Sequence, residues 1–165
     1  MDRNKLHILK GKMAAYYRND PARIHHFLKV HSFAKWIGEE EGLDAETQEI
    51  LEAAALVHDI GIKIAEEKYG SDAGPLQEKE GPAAAGRILE ESGYAGALVD
   101  RVCYLVGHHH TYTDIAGADY QILVEADFLV NLFEGNESRK AIEQAYDRIF
   151  RTEAGKRMCR EVYGL

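Results

Sequence analysis

His58 and Asp59 stand side by side in "ALVHDIGIK" (55–63), at the end of an apolar run and directly before Gly61. An imidazole nitrogen and a carboxylate oxygen at one helix end are donors that a divalent metal ion takes. Two adjacent residues do not make a site, so other parts of the chain must meet them. Asp127 is one candidate. The segment "YQILVEADFLVNLF" (120–133) is apolar around nearly its whole circumference, and Asp127 shares a side with Leu123, Val124, Val130 and Asn131. A carboxylate buried there without a cation would cost several kcal/mol or be forced to protonate. The alternative to a metal is a buried arginine, Arg101 or Arg23.

Nitrogen donors come from two further segments. In "RIHHFLKV" (23–30) His26 shares a stripe with Val30, Phe33 and Ile37, whereas His25 points towards Lys29 and Ser32. His31 is a rival, because it lies with Ile24, Phe27 and Leu28. The run "LVGHHHTY" (105–112) places His108, His109 and His110 at a helix end. There they are either a polar terminus favoured by the helix dipole or a reservoir of ligands. Adjacent helical residues point about 100° apart, so at most two of the three can share one site. Imidazoles and carboxylates from different helices suit Mn²⁺, Fe²⁺, Ni²⁺, Co²⁺ or Zn²⁺ better than a thiolate or all-oxygen site would. Four protein ligands leave an octahedral ion positions for water and substrate.

The elements that must position these residues read as helices. Apolar residues recur at three- and four-residue steps, and alternating strand patterns are nearly absent. Asp20-Pro21 opens a helix that runs to about Gly38 or Gly42. Asp44 can cap the next, which ends at His58-Asp59, with Gly61 letting the backbone turn. A loop is expected at "YGSDAGP" (69–75), and further helices at 80–92, 95–107, 119–134, 137–150 and 152–162. The expectation is an all-α, single-domain bundle over 1–165, with its motif-bearing core at 20–134 and C-terminal helices at 137–162.

Composition sets bounds on function. The 165 residues are 45% apolar and 29% charged, which is globular rather than disordered. A net charge of −8 argues against an extended nucleic-acid footprint but allows a local basic pocket for a small anion. No apolar run approaches the roughly 20 residues of a membrane helix, and "MDRNKLHILKGKM" is too polar for a signal peptide. Cys103 and Cys159 are too few for a disulfide framework. A reduced, cytoplasmic protein is the expectation. The tail "IFRTEAGKRMCREVYGL" can pack on itself or on a partner, and a homodimer is one such arrangement.

In "RIHHFLKV", "LVHDIG", "LVGHHHTY" and "EADFLVN" the chain resembles the HD-domain superfamily of metal-dependent phosphohydrolases. The order is the same: His, then His-Asp, then Asp. The resemblance implies an HD-type helical bundle with His26, His58, Asp59 and Asp127 as metal ligands. It implies hydrolysis of a nucleotide or other small phosphate ester by a metal-activated water. Asp59 or Asp127 would orient that water; Glu80, His108 or His109 would protonate the leaving group. Arg23 and Lys63 would hold the phosphate. Two features depart from the pattern. Many relatives have Lys directly after HDIG, where this chain has Ile62 and then Lys63. No histidine occurs between His58 and His108, and Glu80 is the best oxygen substitute. One ion per chain is expected; a second would use Glu80, His108 and His109. The competing readings are a di-iron HD-type oxygenase and a non-catalytic metal- or nucleotide-binding regulatory module.

Overall fold

The structure is a computed structural model that describes residues 3–165, so Met1 and Asp2 of the polar N-terminal run lie outside the described residues. It is all-α. In chain order the helices are α1 (Arg3–Tyr16), α2 (Pro21–Glu40), α3 (Ala45–Val57), α4 (Gly61–Tyr69), α5 (Gly74–Glu91), α6 (Ala97–Val106), α7 (Ala118–Glu134), α8 (Arg139–Ile149) and α9 (Glu153–Tyr163). None of them is long and apolar enough to cross a membrane.

The expected caps are present. The Asp20 carboxylate accepts from the Arg23 N–H and Pro21 opens α2. Asp44 accepts from the N–H groups of Glu46 and Thr47 at the start of α3. The second helix passes through Gly38 and stops at the turn containing Gly42, whose φ of 71° suits glycine. Three elements differ from the sequence reading, one of them α4, which the reading did not assign. Leu6, Leu9 and Met13 form a buried stripe on α1, a helix that the reading did not assign, and Tyr17 continues the stripe just beyond its end. The fifth helix begins at Gly74 rather than near 80, with Pro75 in its first turn, and carries Pro82 inside it.

Gly61 has a different role from the one expected. The backbone at His58 and Ile60 is right-handed helical, and Gly61 itself has no positive φ. What glycine supplies is proximity. A Cβ at Gly61 would lie 2.6 Å from the Gln77 carbonyl oxygen and 2.8 Å from the Gly81 nitrogen. Backbone therefore packs on backbone where α4 meets α5, and α4 departs from α3 without a left-handed turn.

At the centre lies α3, which packs against α1, α2, α6 and α7. Its fully buried Ala53, Ala54 and Ala55 allow helices to approach from several sides. The seventh helix is buried around most of its girth and packs on α2, α3, α8 and α9. Glu125, fully buried on α7, ties in the C-terminal helices. Its carboxylate accepts from the N–H groups of Arg151 and Thr152 at 2.6 and 2.9 Å and from the Gln121 side chain at 2.7 Å. A charge without these donors would be costly in such a place. Glu125→Ala takes the acceptor from the part-buried N–H groups of Arg151 and Thr152 ahead of α9 and from the Gln121 amide, and should lower stability by roughly 2–4 kcal/mol in urea unfolding. A loss below about 0.5 kcal/mol would show that the anchor contributes little.

Candidate metal centre

The turn after α3 presents His58 and Asp59, α2 presents His26, α7 presents Asp127 and the turn after α6 presents His109. Their polar atoms converge. His26 Nε2 lies 3.1 Å from Asp59 Oδ2, 3.2 Å from Asp127 Oδ1 and 3.2 Å from His58 Nε2. His58 Nε2 is 3.4 Å from the same two carboxylate oxygens. Asp59 Oδ1 is 3.3 Å from His109 Nε2. All five side chains are largely or fully buried.

The second nitrogen of each ring decides what the first can do. Nδ1 of His26 contacts the Glu134 carboxylate at 2.9 Å, Nδ1 of His58 the Ala55 carbonyl at 2.8 Å, and Nδ1 of His109 the Val106 carbonyl at 2.8 Å. Those oxygens only accept, so hydrogen bonding assigns the proton to each Nδ1 and leaves each Nε2 as a lone pair in the neutral ring. The His26 and His58 lone pairs then oppose one another, which requires a cation between or beside them. His109 Nε2 is buried with no hydrogen-bond partner. These are the nitrogen donors, tautomers and outer hydrogen bonds of a transition-metal site, and the residues present fit a divalent ion.

Protons substitute for the ion when it is absent. Burial alone would lower the His26 pKa, but hydrogen bonds to Asp127 and Asp59 raise it to about 9. Burial opposes charge on His58 too, and the adjacent Asp59 carboxylate prevails and raises it. Asp59 and Asp127 move the other way. Burial disfavours their ionised forms, yet the charge of His58 and bonds from the histidines hold Asp59 well below the ordinary carboxylate range, and bonds from His26 and His58 hold Asp127 there.

A model of the HD domain matches residues 23–154, most of the chain. The chain belongs to the HD-domain family. The structure is also similar to the crystal structure of a predicted HD superfamily hydrolase from an uncultured Thermotogales bacterium. The two share 27% sequence identity and superpose with a TM-score of 0.65 over 98% of this chain and 84% of the other. No curated protein matches the chain.

Around this HD centre several expected residues are placed elsewhere. His108 contacts the Tyr104 carbonyl at 2.6 Å through Nδ1 and stacks on the Tyr104 ring, centroids 4.0 Å apart. Glu80 is taken by Lys68 at 2.9 Å and by the Tyr69 hydroxyl at 2.7 Å. Neither joins the cluster, because each has a nearer partner on its own side of the fold. His110 takes the place expected of His108 and groups with Asp59 and His109. Its Nε2 contacts Gln77 Oε1 at 2.8 Å, and burial together with the neighbouring His109 lowers its pKa to about 4. Arg23 lies 3.7 Å from Glu66 and 3.9 Å from Asp72, and Lys63 sits over the Tyr16 ring. The alternative partners are also accounted for: Arg101 pairs with Asp119 and His31 with Glu52. Asp127 instead meets His26, His58 and the Asn131 amide.

Supporting residues of the HD centre escaped the sequence reading. Glu134 orients His26, and the signal was its place two turns after Asp127 on one helical face. Tyr17 donates to the Asp59 carbonyl at 2.8 Å and Tyr16 to the Ile60 carbonyl at 3.2 Å, bracing the His-Asp turn from the C-terminal end of α1. The Tyr120 hydroxyl donates to the turn that holds the three histidines, at the carbonyls of His108 and Thr111. Nothing in the sequence pattern marks these tyrosines.

Two outcomes are expected. Glu134→Ala frees the His26 ring to turn and should weaken metal binding about 10- to 100-fold in a competition titration; unchanged affinity would remove Glu134 from the site. The second concerns pH. His26 binds its proton more tightly in the folded chain, so its stabilisation is complete below its ordinary pKa of 6.5 and lost as pH rises through about 9. The depressed carboxylates stabilise above their ordinary value of 3.8 and lose that effect in acid. Chelated protein should therefore have a melting temperature that falls as pH rises from 6.5 to 9. Metal-loaded protein should not show that fall, since the ion replaces the protons. A flat melting curve for the chelated protein would contradict this assignment.

Proposed function

We propose that the chain is a metal-dependent phosphohydrolase acting on a nucleotide or another small phosphate ester. The observation that carries the reading is the opposition of His26 Nε2 and His58 Nε2 at 3.2 Å, flanked by two buried carboxylates. His26, His58, Asp59 and Asp127 would hold one Mn²⁺, Fe²⁺, Ni²⁺, Co²⁺ or Zn²⁺ ion. Such an ion, when bound, lowers the pKa of a coordinated water and polarises a phosphoryl oxygen.

The chain's own residues divide the remaining work. Asp59 turns Oδ2 to His26 and His58 and Oδ1 to His109, so one carboxylate faces both the ligand set and a proton carrier. Asp59 Oδ1 takes a proton from the attacking water as its oxygen bonds to phosphorus. The ester P–O bond breaks, and His109 passes the proton to the departing alcohol oxygen. For a monoester the products are the alcohol and inorganic phosphate. Arg23 and Lys63, which share a cavity of about 160 Å³ with Arg18, are the cations proposed to meet the phosphate. The long Arg23 contacts to Glu66 and Asp72 are easily exchanged for a phosphate oxygen.

A second reading rests on the grouping of Asp59, His109 and His110, which offers ligand atoms within 4.8 Å of one another. Two irons on the protein would assign that group to a second ion and favour oxygenase chemistry. Elemental analysis of protein purified without chelators, followed by a panel of phosphate esters, separates these readings. The expected result is about one ion per chain with release of inorganic phosphate. Asp127→Ala should lose the ion and the turnover together. Metal content without turnover of any ester would favour a regulatory module, and retention of the ion by Asp127→Ala would remove Asp127 from the ligand set.

A further inference from the structure

His31 rivals His26 in the sequence, yet the HD centre makes no use of it. His31 is 6% exposed on α2, and its neighbour Glu52 is 2% exposed on α3. His31 Nε2 contacts Glu52 Oε2 at 3.0 Å. The Gln48 amide donates to Glu52 Oε1 at 3.0 Å, so both carboxylate oxygens are engaged. A carboxylate only accepts, and hydrogen bonding therefore places the ring proton on Nε2 and leaves Nδ1 of the neutral ring as a lone pair. Among the described residues Nδ1 has no hydrogen-bond partner, and unlike the sealed Nε2 of His109 it keeps access to solvent.

That access is a cavity of about 360 Å³ bounded by α1, α2 and α3. Its volume lies within the range of small-molecule sites. Basic residues line it from two helices. His7 and Lys10 stand one turn apart on α1, and His31 and Lys35 one turn apart on α2. In a chain of net charge −8 they form the kind of local basic pocket that composition allows for a small anion. His7 and Lys10 have no partner among the described residues. The Lys35 ammonium reaches only Glu39, at 3.8 Å, and an exposed pair of that length is readily exchanged. Two carboxylates, Glu39 and Glu52, also border the cavity, and they disfavour an oxyanion that has no proton to offer.

We propose that this cavity is an inorganic phosphate site separate from the HD centre, in which Lys10 and Lys35 hold the ionised oxygens and His31 Nδ1 accepts from the remaining P–O–H. Ammonium groups donate to any oxyanion. A lone pair held in place by Glu52 accepts only from one that still carries a proton. Inorganic phosphate keeps a proton in neutral and mildly alkaline water, whereas a phosphate monoester loses its last one near about pH 6 and sulfate has none. The buried dyad therefore selects free phosphate from anions of similar size and charge. This site does not rest on the phosphohydrolase reading.

The test titrates zinc-loaded protein with inorganic phosphate and, at equal ionic strength, with sulfate in mildly alkaline buffer, and follows the histidine ring signals by NMR. The His7 signal, assigned by its loss in His7→Gln, reports on this cavity, and the signals of His26, His58 and His109 report on the HD centre. Phosphate should shift the His7 signal to saturation. Sulfate should bind there about tenfold more weakly or worse, because a site built to bond an O–H rejects the analogue that lacks it. Lys10→Gln and Lys35→Gln, at half-buried and exposed positions, should each weaken the His7 response to phosphate about threefold and leave the HD-centre response unchanged. Equal affinity of the cavity for sulfate and phosphate overturns the proposal. So does phosphate that moves only the HD-centre signals, or a His7 response that both lysine variants retain at wild-type strength.

Discussion

Two imidazole nitrogens held face to face by bonds at the far side of each ring are the constraint on which the centre depends. Glu134 fixes one ring and the Ala55 carbonyl the other, so neither can rotate to relieve the opposition. A cation must sit with them, and Asp59 and Asp127 supply the countercharge. Such a cluster does not hold a fold together. Removing four polar groups from water costs more than their mutual attraction returns unless geometry is kept tight. The packing of α2, α3 and α7 keeps it so, and α3 and α7 are buried over most of their length.

The same helices divide support from chemistry. Different faces of α7 carry Asp127 into the centre, Glu125 into the C-terminal anchor and Phe128 against the Tyr112 ring. One rigid element thereby sets the distance between the His/Asp centre and the C-terminal helices. Sites on helices are positioned more precisely than sites on loops, and here the loop residues are braced by side chains from helices. Tyr120 does this for the histidine turn, with Gln77 and Glu78 of α5 bonding to His110.

What the sequence made legible follows from burial. His26, His58, Asp59 and Asp127 each interrupt an apolar stripe, and helical periodicity alone brings attention to such residues. The helical class and the cap residues Asp20 and Asp44 were legible for the same reason, since both signals are local. The choice among His108, His109 and His110 was not. It is made by Tyr104, which stacks on His108, and by Gln77, which engages His110, and both partners are distant in the pattern that was read. Glu80 illustrates the same limit, because Lys68 and Tyr69 reach it from α4, whose separate existence has no cap signal. The start of α5 was masked by its own composition: Gly74 and Pro75 read as loop, yet Pro in a first turn costs a helix nothing.

The tyrosine pair at the C-terminal end of α1 has a consequence for how the centre is assembled. Tyr16 and Tyr17 precede residue 23, where the family match begins, yet they hold the carbonyls of the very turn that presents His58 and Asp59. Local contacts within α3 form early and cheaply, but this brace closes a loop of more than forty residues. An HD domain whose first helix is undocked would keep its ligands in sequence while losing their register. The N-terminal helix is thus part of the framework of the centre, although it lies ahead of the matched segment.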